Sequence, residues 1–339
     1  MSHPVPLMSP SPTSFNAWVD QLPKWRGWLQ LSPERPYMHD EEDYNNQYNV
    51  TVPEPEEGEG LCRLLATHGV DTSGPALEIG CGSGYLTYGL ALHYPGPDLL
   101  ITDPSATFLR ITEQQFENEK TAPARRHYAV FNADDLRQLP RGMFSVIALR
   151  STLHHILKVD EFIAACAQAL RPGGALVMAA EPCESGYLLM GAIAHSIPNA
   201  LKAAGITMKP EWTRQLEDFT ETVRFCCLRD VDKTTAEDKH FFNPHELGEQ
   251  GAAHGLQLKF FPTASLRDFS PPFTHSFHSF SHFFLIYMQF CMRFDAEFMD
   301  LIRVHLKDQL AFVDECYRSH PGPAITGVFL MTKAAAPTT

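Results

Sequence analysis

The chain has 339 residues, more than the usual single domain, and 44% of them are apolar; one large domain with insertions, or a domain with a subdomain, is expected. Its 27 Lys and Arg stand against 40 Asp and Glu, a net charge of −13, which argues against general attraction to nucleic acid or anionic membrane. Eight Cys without a CxxC pair predict reduced thiols in a cytoplasmic protein, the first residues do not read as a secretory signal, and no apolar run reaches the ~18 residues of a membrane span.

Residues 1–14 are rich in Pro and Ser and read as a disordered tail. Residues 15–60 read as an N-terminal helical arm. Phe15, Trp18, Leu22, Trp25, Trp28 and Leu29 have the spacing of an amphipathic helix broken at Pro23. An acidic stretch with Tyr37, Tyr44 and Tyr48 follows, closed by Pro53 and Pro55, and leads to a helix near 57–68. From 61 to 182 strands and helices alternate. Strands are expected at Ala76–Ile79, Leu99–Thr102, His127–Phe131, Phe144–Leu149 and Ala175–Ala180. Helices are expected at Tyr85–His93, Thr107–Glu119 and Val159–Leu170. Short apolar strands in such alternation make a parallel sheet covered on both faces. Residues 183–242 interrupt the rhythm as a helical insertion. It resumes over 243–263, with a helix opened by Asn243-Pro244 and stopped at Gly255, then a strand Leu256–Pro262. Residues 264–322 form a second helical insertion, 323–333 the last strand (Ala324–Thr332), and 334–339 a tail.

The strongest chemical signal is Leu77-Glu78-Ile79-Gly80-Cys81-Gly82-Ser83-Gly84 after an apolar strand. A dinucleotide-binding turn would have its third Gly at position 85, which is Tyr. An acid two residues before the first Gly is a poor neighbour for a pyrophosphate and a good one for a cationic ligand carrying an amino acid.

With these residues in place, segment 77–182 resembles the class I S-adenosylmethionine-dependent methyltransferases of the small-molecule type. The resemblance implies an α/β fold with a doubly wound, seven-stranded, mostly parallel, Rossmann-like sheet carrying helical insertions. It implies S-adenosyl-L-methionine as cofactor, with Gly80, Cys81, Gly82 and Gly84 packed against its methionine part and Glu78 near its amino group. It places Asp103, with Pro104 beside it, at the ribose hydroxyls, a pairing that a carboxylate's two oxygens suit. It places Asp134 or Asp135 at the adenine amino group, with Leu136 packed on the ring. Strand position favours Asp134 and the spacing to Leu139-Pro140 favours Asp135. Phe144–Leu149 resembles the fourth motif, with Ser145 where the family usually has Asp, and Leu170–Gly174 with Glu181-Pro182 resembles the fifth strand's entry and exit. Ligands bind at the carboxyl ends of parallel strands, where Gly80, Asp103, Asp134, Arg150 and Glu181 then all fall.

Methyl transfer from a sulfonium needs no protein nucleophile; it needs alignment, exclusion of water and, for a hydroxyl acceptor, a base. His154 and His155, in a Leu-His-His run like that of many small-molecule members, are the candidate bases, with packing as the alternative. Glu181 is the next candidate, as base or as orienter of the acceptor. The acceptor is expected to be a small molecule methylated at oxygen, of polyketide, sugar-containing or other specialised-metabolite type. Carbon or nitrogen methylation remains open, and a rival of another class is a non-catalytic partner protein that keeps the fold.

Residues 183–242 read as a lid over the sheet's carboxyl edge, or as a packed subdomain without substrate contact. Tyr44 and Tyr48 in the arm either close over the cofactor or pack structurally. His275, His278 and His282 share one helix face, but i and i+7 lie roughly 10 Å apart along the axis, too far to converge on one ion, so no metal is expected there. The apolar stretch 277–292 is too short for a bilayer and is read first as core, then as a homodimer interface, then as an acceptor pocket.

Overall fold

The computed structural model describes residues 14–35, 55–116, 124–263, 265–268, 280–319 and 324–335. Nine strands make one sheet: β1 (Lys24–Trp25), β2 (Trp28–Gln30), β3 (Ala76–Ile79), β4 (Asp98–Asp103), β5 (Arg125–Val130), β6 (Phe144–Arg150), β7 (Leu170–Pro182), β8 (Leu256–Phe261) and β9 (Thr326–Lys333). Their spatial order is β1-β2-β5-β4-β3-β6-β7-β9-β8. From β2 to β7 all neighbours run parallel; β9 is antiparallel to both β7 and β8. The expected seven-stranded unit is the run from β5 to β8, and β1 and β2 extend it at one edge.

That extension corrects the expected arm helix. Within residues 15–31 only Phe15–Val19 (α1) is α-helical. Beyond Pro23 the chain forms a hairpin, turning at Arg26 (φ 52°) and Gly27 (φ 95°) so that Trp25 pairs with Trp28. Two central residues with positive φ match the twist of the flanking strands. β2 then pairs in parallel with β5, Leu29 beside Ala129.

Alternate side chains of the central strands feed two cores. Leu77, Ile79, Phe144, Ile147 and Leu149 meet α1, α5 (Val159–Ala169) and α8 (Pro244–Ala253) on one face. Ala76, Val146 and Ala148 meet α2 (Glu56–Thr67), α3 (Thr87–His93) and α4 (Ala106–Gln114) on the other. Helices on both faces leave the strand ends as the place for a ligand. Ser145 is fully buried in β6 and accepts a hydrogen bond from the Gly74 N–H at 2.9 Å, which ties β6 to the entry of β3.

The two insertions form a single layer. α6 (Glu184–Ala203) and α7 (Pro210–Cys227) from the first pack with α9 (Phe280–Ile286), the π-turn Tyr287–Cys291, α10 (Ala296–His305) and α11 (Lys307–Ser319) from the second. Tyr187, Met190, Trp212, Phe219, Phe284 and Phe298 fill their shared interior. Phe280, Phe284 and Met288 thus bear out the core reading of the apolar stretch, while Ile286 and Phe290 stay exposed. His275 and His278 lie outside the described residues, and His282 is exposed on α9. No helix among the described residues is long and apolar enough to cross a membrane.

Candidate active site

The glycine turn leaves β3 at the point where the strand order reverses, with β4 on one side and β6 on the other. Gly80, Gly82 and Gly84 have φ of 71°, 50° and 81°, a region that favours glycine. A Cβ on Gly80 would come within 2.6 Å of Thr152, whereas one on Gly82 would meet nothing within 4 Å. The turn is therefore backed by protein at Gly80 and open at Gly82. Helix α4 fixes it from behind, Thr112 donating to the Gly82 carbonyl (2.9 Å) and Gln115 to the Ser83 carbonyl (2.6 Å). Cys81 is buried, its N–H on the Thr102 carbonyl.

Two acids line the turn. Asp103, at the end of β4, is buried and accepts from the Gly82 N–H (2.9 Å) and the Ser105 N–H (2.8 Å), one on each oxygen. Glu78 is buried in β3, and its Oε2 has no hydrogen-bond partner. Burial pushes its carboxyl up to about 8; the Thr87 hydroxyl offsets part of this and the Asp103 charge adds to it.

Asp134 and Asp135 sit in a 3-10 turn, Ala133–Gln138, beyond the end of β5 rather than on the strand. Asp134 is exposed and 3.5 Å from Arg35 Nη1; the Arg35 N–H also bonds the Pro104 carbonyl (2.9 Å). The arm thus reaches the rim at Arg35. Tyr44 and Tyr48 lie outside the described residues, as does the side chain of Leu136.

Arg150 ends β6 with its guanidinium over the Tyr85 ring, 4.1 Å from its centroid, and its Nε 3.8 Å from Glu57 Oε2. Glu57, buried in α2, also accepts from Ser265 Oγ and the Leu266 N–H, and Arg267 donates to Tyr85 OH at 2.6 Å. Nothing local in the sequence links Glu57, Tyr85 and Arg267 to Arg150.

On the other side of Thr152 lies the second half of the site. Ser151 (φ 48°) and Ala180 (φ 53°) are non-glycine residues in the left-handed region at the carboxyl ends of β6 and β7. The β7–β9 register shifts between Met178 and Glu181. Glu181 is 0% exposed. Its Oε1 accepts from the N–H of Thr152 (2.8 Å) and Leu153 (2.9 Å), and its Oε2 from the N–H of His154 (3.2 Å) and from His154 Nδ1 (2.8 Å). Burial pushes its pKa up, but the His154 charge and these hydrogen bonds prevail and hold it below the usual value. With its oxygens so engaged, Glu181 orients His154; it is not a free base.

Since a carboxylate only accepts, His154 Nδ1 carries a proton and Nε2 faces outward, 3.6 Å from Asp238 Oδ1. Burial lowers the His154 pKa, and Glu181 and Asp238 more than reverse that. His155 lies against it, ring centroids 4.0 Å apart, with Nδ1 3.1 Å from the Glu237 carbonyl. Burial and the neighbouring His154 bring its pKa down to about 4. Asp238 belongs to the first insertion, and the Lys239 N–H bonds the His154 carbonyl at 2.8 Å. The first insertion therefore touches the His pair directly, and the Asp238 charge also acts on Tyr187 and Tyr287, whose rings are 5.5 Å apart.

Residues 77–176 match a family described as "Methyltransferase domain". An uncharacterized protein of Synechococcus sp. is 35% identical over 100 residues, 30% of this chain and 24% of that protein. The mitochondrial ubiquinone biosynthesis O-methyltransferase of Mus musculus is 27% identical over 121 residues, 35% of this chain and 32% of that enzyme. The chain thus spans about a quarter to a third of the length of these relatives. An S-adenosylmethionine-dependent methyltransferase from Clostridium acetobutylicum superposes with a TM-score of 0.47 at 10% identity, covering 87% of this chain and 97% of that one. Sheet order, glycine turn and family match define the class: residues 77–176 form a methyltransferase domain on a Rossmann-like sheet.

Proposed function

We propose that the chain transfers the methyl group of S-adenosylmethionine to a hydroxyl oxygen of a small specialised metabolite, polyketide or sugar-containing, held between the His154–His155 turn and the helical layer. The observation that carries this reading is the contact of one residue with both halves of the site. Thr152 Oγ1 lies 3.4 Å from the Gly80 carbonyl, and the Thr152 N–H bonds Glu181. The cofactor turn and the His154–Glu181 pair are thereby held in fixed relation. A hydroxyl acceptor must lose a proton, and an imidazole oriented by a buried carboxylate suits that task. That the mouse relative is an O-methyltransferase supports the same choice.

Bound cofactor supplies an electrophilic methyl on a positive sulfur. Glu78, with an oxygen still lacking a partner, suits the amino group, and Gly80, Cys81, Gly82 and Gly84 bring backbone to the methionine part. Asp103, at the carboxyl end of β4, has the two oxygens that suit a pair of ribose hydroxyls. Asp134 or Asp135, with Leu136, serves the adenine, and Pro104, Arg150 and Tyr48 complete the rim. His154 takes the acceptor's proton at Nε2, His155 contacts the acceptor and Glu181 holds His154. The acidic surface supports a small molecule rather than nucleic acid as partner, and eight free cysteines support a cytoplasmic setting.

Asp103→Ala is expected to weaken cofactor binding by roughly 1.5–3 kcal/mol, the scale of hydrogen bonds to a charged group. Calorimetry with S-adenosylmethionine and S-adenosylhomocysteine reads this, and an unchanged affinity means that the ribose binds elsewhere.

Glu78 makes the affinity depend on pH. With a pKa of about 8 in the free protein, raised by burial and by the Asp103 charge beside it, Glu78 is mostly protonated at neutrality. A cationic ligand favours the ionised form, so binding releases a proton. Affinity therefore rises as pH approaches 8 and levels off above it. The folded-state pKa is raised, so in the free protein the group's stability contribution is full below its unfolded value and is lost as pH climbs through about 8. Glu78→Gln should flatten both slopes; a wild-type affinity independent of pH between 6 and 8 would contradict the assignment.

The function itself is tested by incubating the chain with methyl-labelled S-adenosylmethionine and a panel of hydroxylated small molecules with matched amines. Label in a methyl ether is expected. Transfer to amines alone overturns the oxygen assignment, and failure to bind cofactor at all favours a non-catalytic partner.

A further inference from the structure

The site holds more than a base requires. We propose that His154, His155 and Asp238 together bind a divalent transition-metal ion of the zinc kind at the acceptor side of the site. Asp238 Oδ1 lies 3.6 Å from His154 Nε2 and 3.5 Å from His155 Nδ1, and one ligand atom from each residue falls within 4.8 Å of the other two. Donors around a tetrahedral Zn²⁺ with bonds of about 2.0–2.2 Å stand roughly 3.3–3.6 Å apart, so a small inward shift closes the set.

The surroundings are those of a ligand set. Glu181 accepts the Nδ1–H hydrogen bond of His154 and so turns Nε2 toward Asp238, the carboxylate–histidine arrangement that orients metal-bound imidazoles. Asp238 is half-exposed, yet its backbone is pinned on both sides. The Lys239 N–H bonds the His154 carbonyl, and Cys226 Sγ lies 3.5 Å from the Asp238 carbonyl. His155 Nδ1 now donates toward the Glu237 carbonyl and Asp238; to bind a cation it gives up that proton, and the neutral ring keeps its hydrogen on Nε2 instead. Two imidazoles and one carboxylate suit Zn²⁺, Fe²⁺ or Co²⁺ far better than Mg²⁺, which prefers oxygen.

Three protein ligands leave a coordination position open. What that position does rests on the methyl-transfer reading; that the ion binds does not. An acceptor hydroxyl placed there loses its proton more readily: the O–H bond breaks, the electron pair stays on oxygen, and the proton passes to bulk water. In the loaded protein the cation thus takes over the task that Nε2 performs alone in the metal-free one.

The test is titration of the untagged full chain, stripped with a chelator, with Co²⁺ followed by Zn²⁺. One equivalent of Co²⁺ is expected, giving the intense visible bands of a low-coordinate site, and Zn²⁺ should bleach them. Asp238→Ala and His155→Ala, checked for folding by circular dichroism, should each weaken binding at least about tenfold, the lower end of losses seen even for residues one step from a metal. His245→Ala, which removes a surface His 3.4 Å from Glu249, should change nothing and reports adventitious binding. Absence of one-to-one binding, or binding that Asp238→Ala and His155→Ala leave unchanged, overturns the proposal. Loss-free metal binding in a chain that transfers no methyl group would instead overturn the proposed function and leave the metal site standing.

Discussion

His154→Ala should lower turnover by about 10²–10⁴-fold, the usual contribution of a positioned acid–base group, while cofactor affinity stays near that of the wild type. The separation follows from the geometry. His154 Nε2 points toward Asp238 and the helical layer, whereas the glycine turn, Glu78 and Asp103 lie on the far side of Thr152. The loss is the same whether Nε2 meets the acceptor proton directly or through a cation, because both use that lone pair. His154→Gln should rescue little, since an amide at that place neither accepts a proton nor replaces the Nδ1 bond to Glu181. Single-turnover rates with saturating cofactor are the measurement, and full activity in the Ala variant would remove His154 from the chemistry.

Glu181→Ala should destabilise the chain by roughly 3–5 kcal/mol, the scale for removing one partner of a buried charged pair. The carboxylate is the common acceptor for three backbone N–H groups and one imidazole, all of them shielded. Alanine leaves these donors without an acceptor in a place where water does not replace it. Because domains are stable by only about 5–15 kcal/mol, the variant should show a much lower urea midpoint. Glu181→Gln keeps one acceptor oxygen but turns an amide donor toward other donors, so it should recover only part of the loss. A change below about 1 kcal/mol would mean that the 151–155 turn is held by something other than Glu181.

The parts of the fold that were legible in the sequence are those fixed by local periodicity. The mainly apolar runs at 76–79 and 144–149 form strands within a residue of the expected bounds, because a strand buried on both faces is apolar at nearly every position. Asn243 caps α8 through its side chain on the His245 N–H, as the Asn-Pro pair signals. Apolar residues at 15, 18, 22, 25 and 28 fit a helix as well as they fit the observed hairpin, so their spacing alone does not tell the two apart. The Arg26-Gly27 turn and an open edge at β5 decided for a hairpin, and edge pairing is not visible in a single segment.

In the site, the same division holds. Glu78, the glycines and Asp103 follow one another around a single strand–turn–helix–strand unit, so their convergence is legible in the sequence. Asp238 meets His154 from a distant insertion, and Glu57 and Arg267 meet Arg150 from a helix and a loop far apart in the chain. Only tertiary packing brings them together. The two insertions were read separately for the same reason: their shared interior pairs Trp212 with Phe298 and Tyr187 with Tyr287, contacts that no spacing within either segment encodes. Glu181 was weighed as base or orienter, and its engaged oxygens favour the second. That distinction rests on the register shift in β7 and the left-handed Ala180, neither of which composition reveals.

The central claim is that the crevice beside β3 holds the sulfonium cofactor. Diffraction from crystals grown with S-adenosylhomocysteine tests it most directly. The account predicts density with the ribose hydroxyls on Asp103, the amino group at Glu78 and the sulfur directed toward His154. Density at any other surface, or none at a saturating concentration, would contradict it.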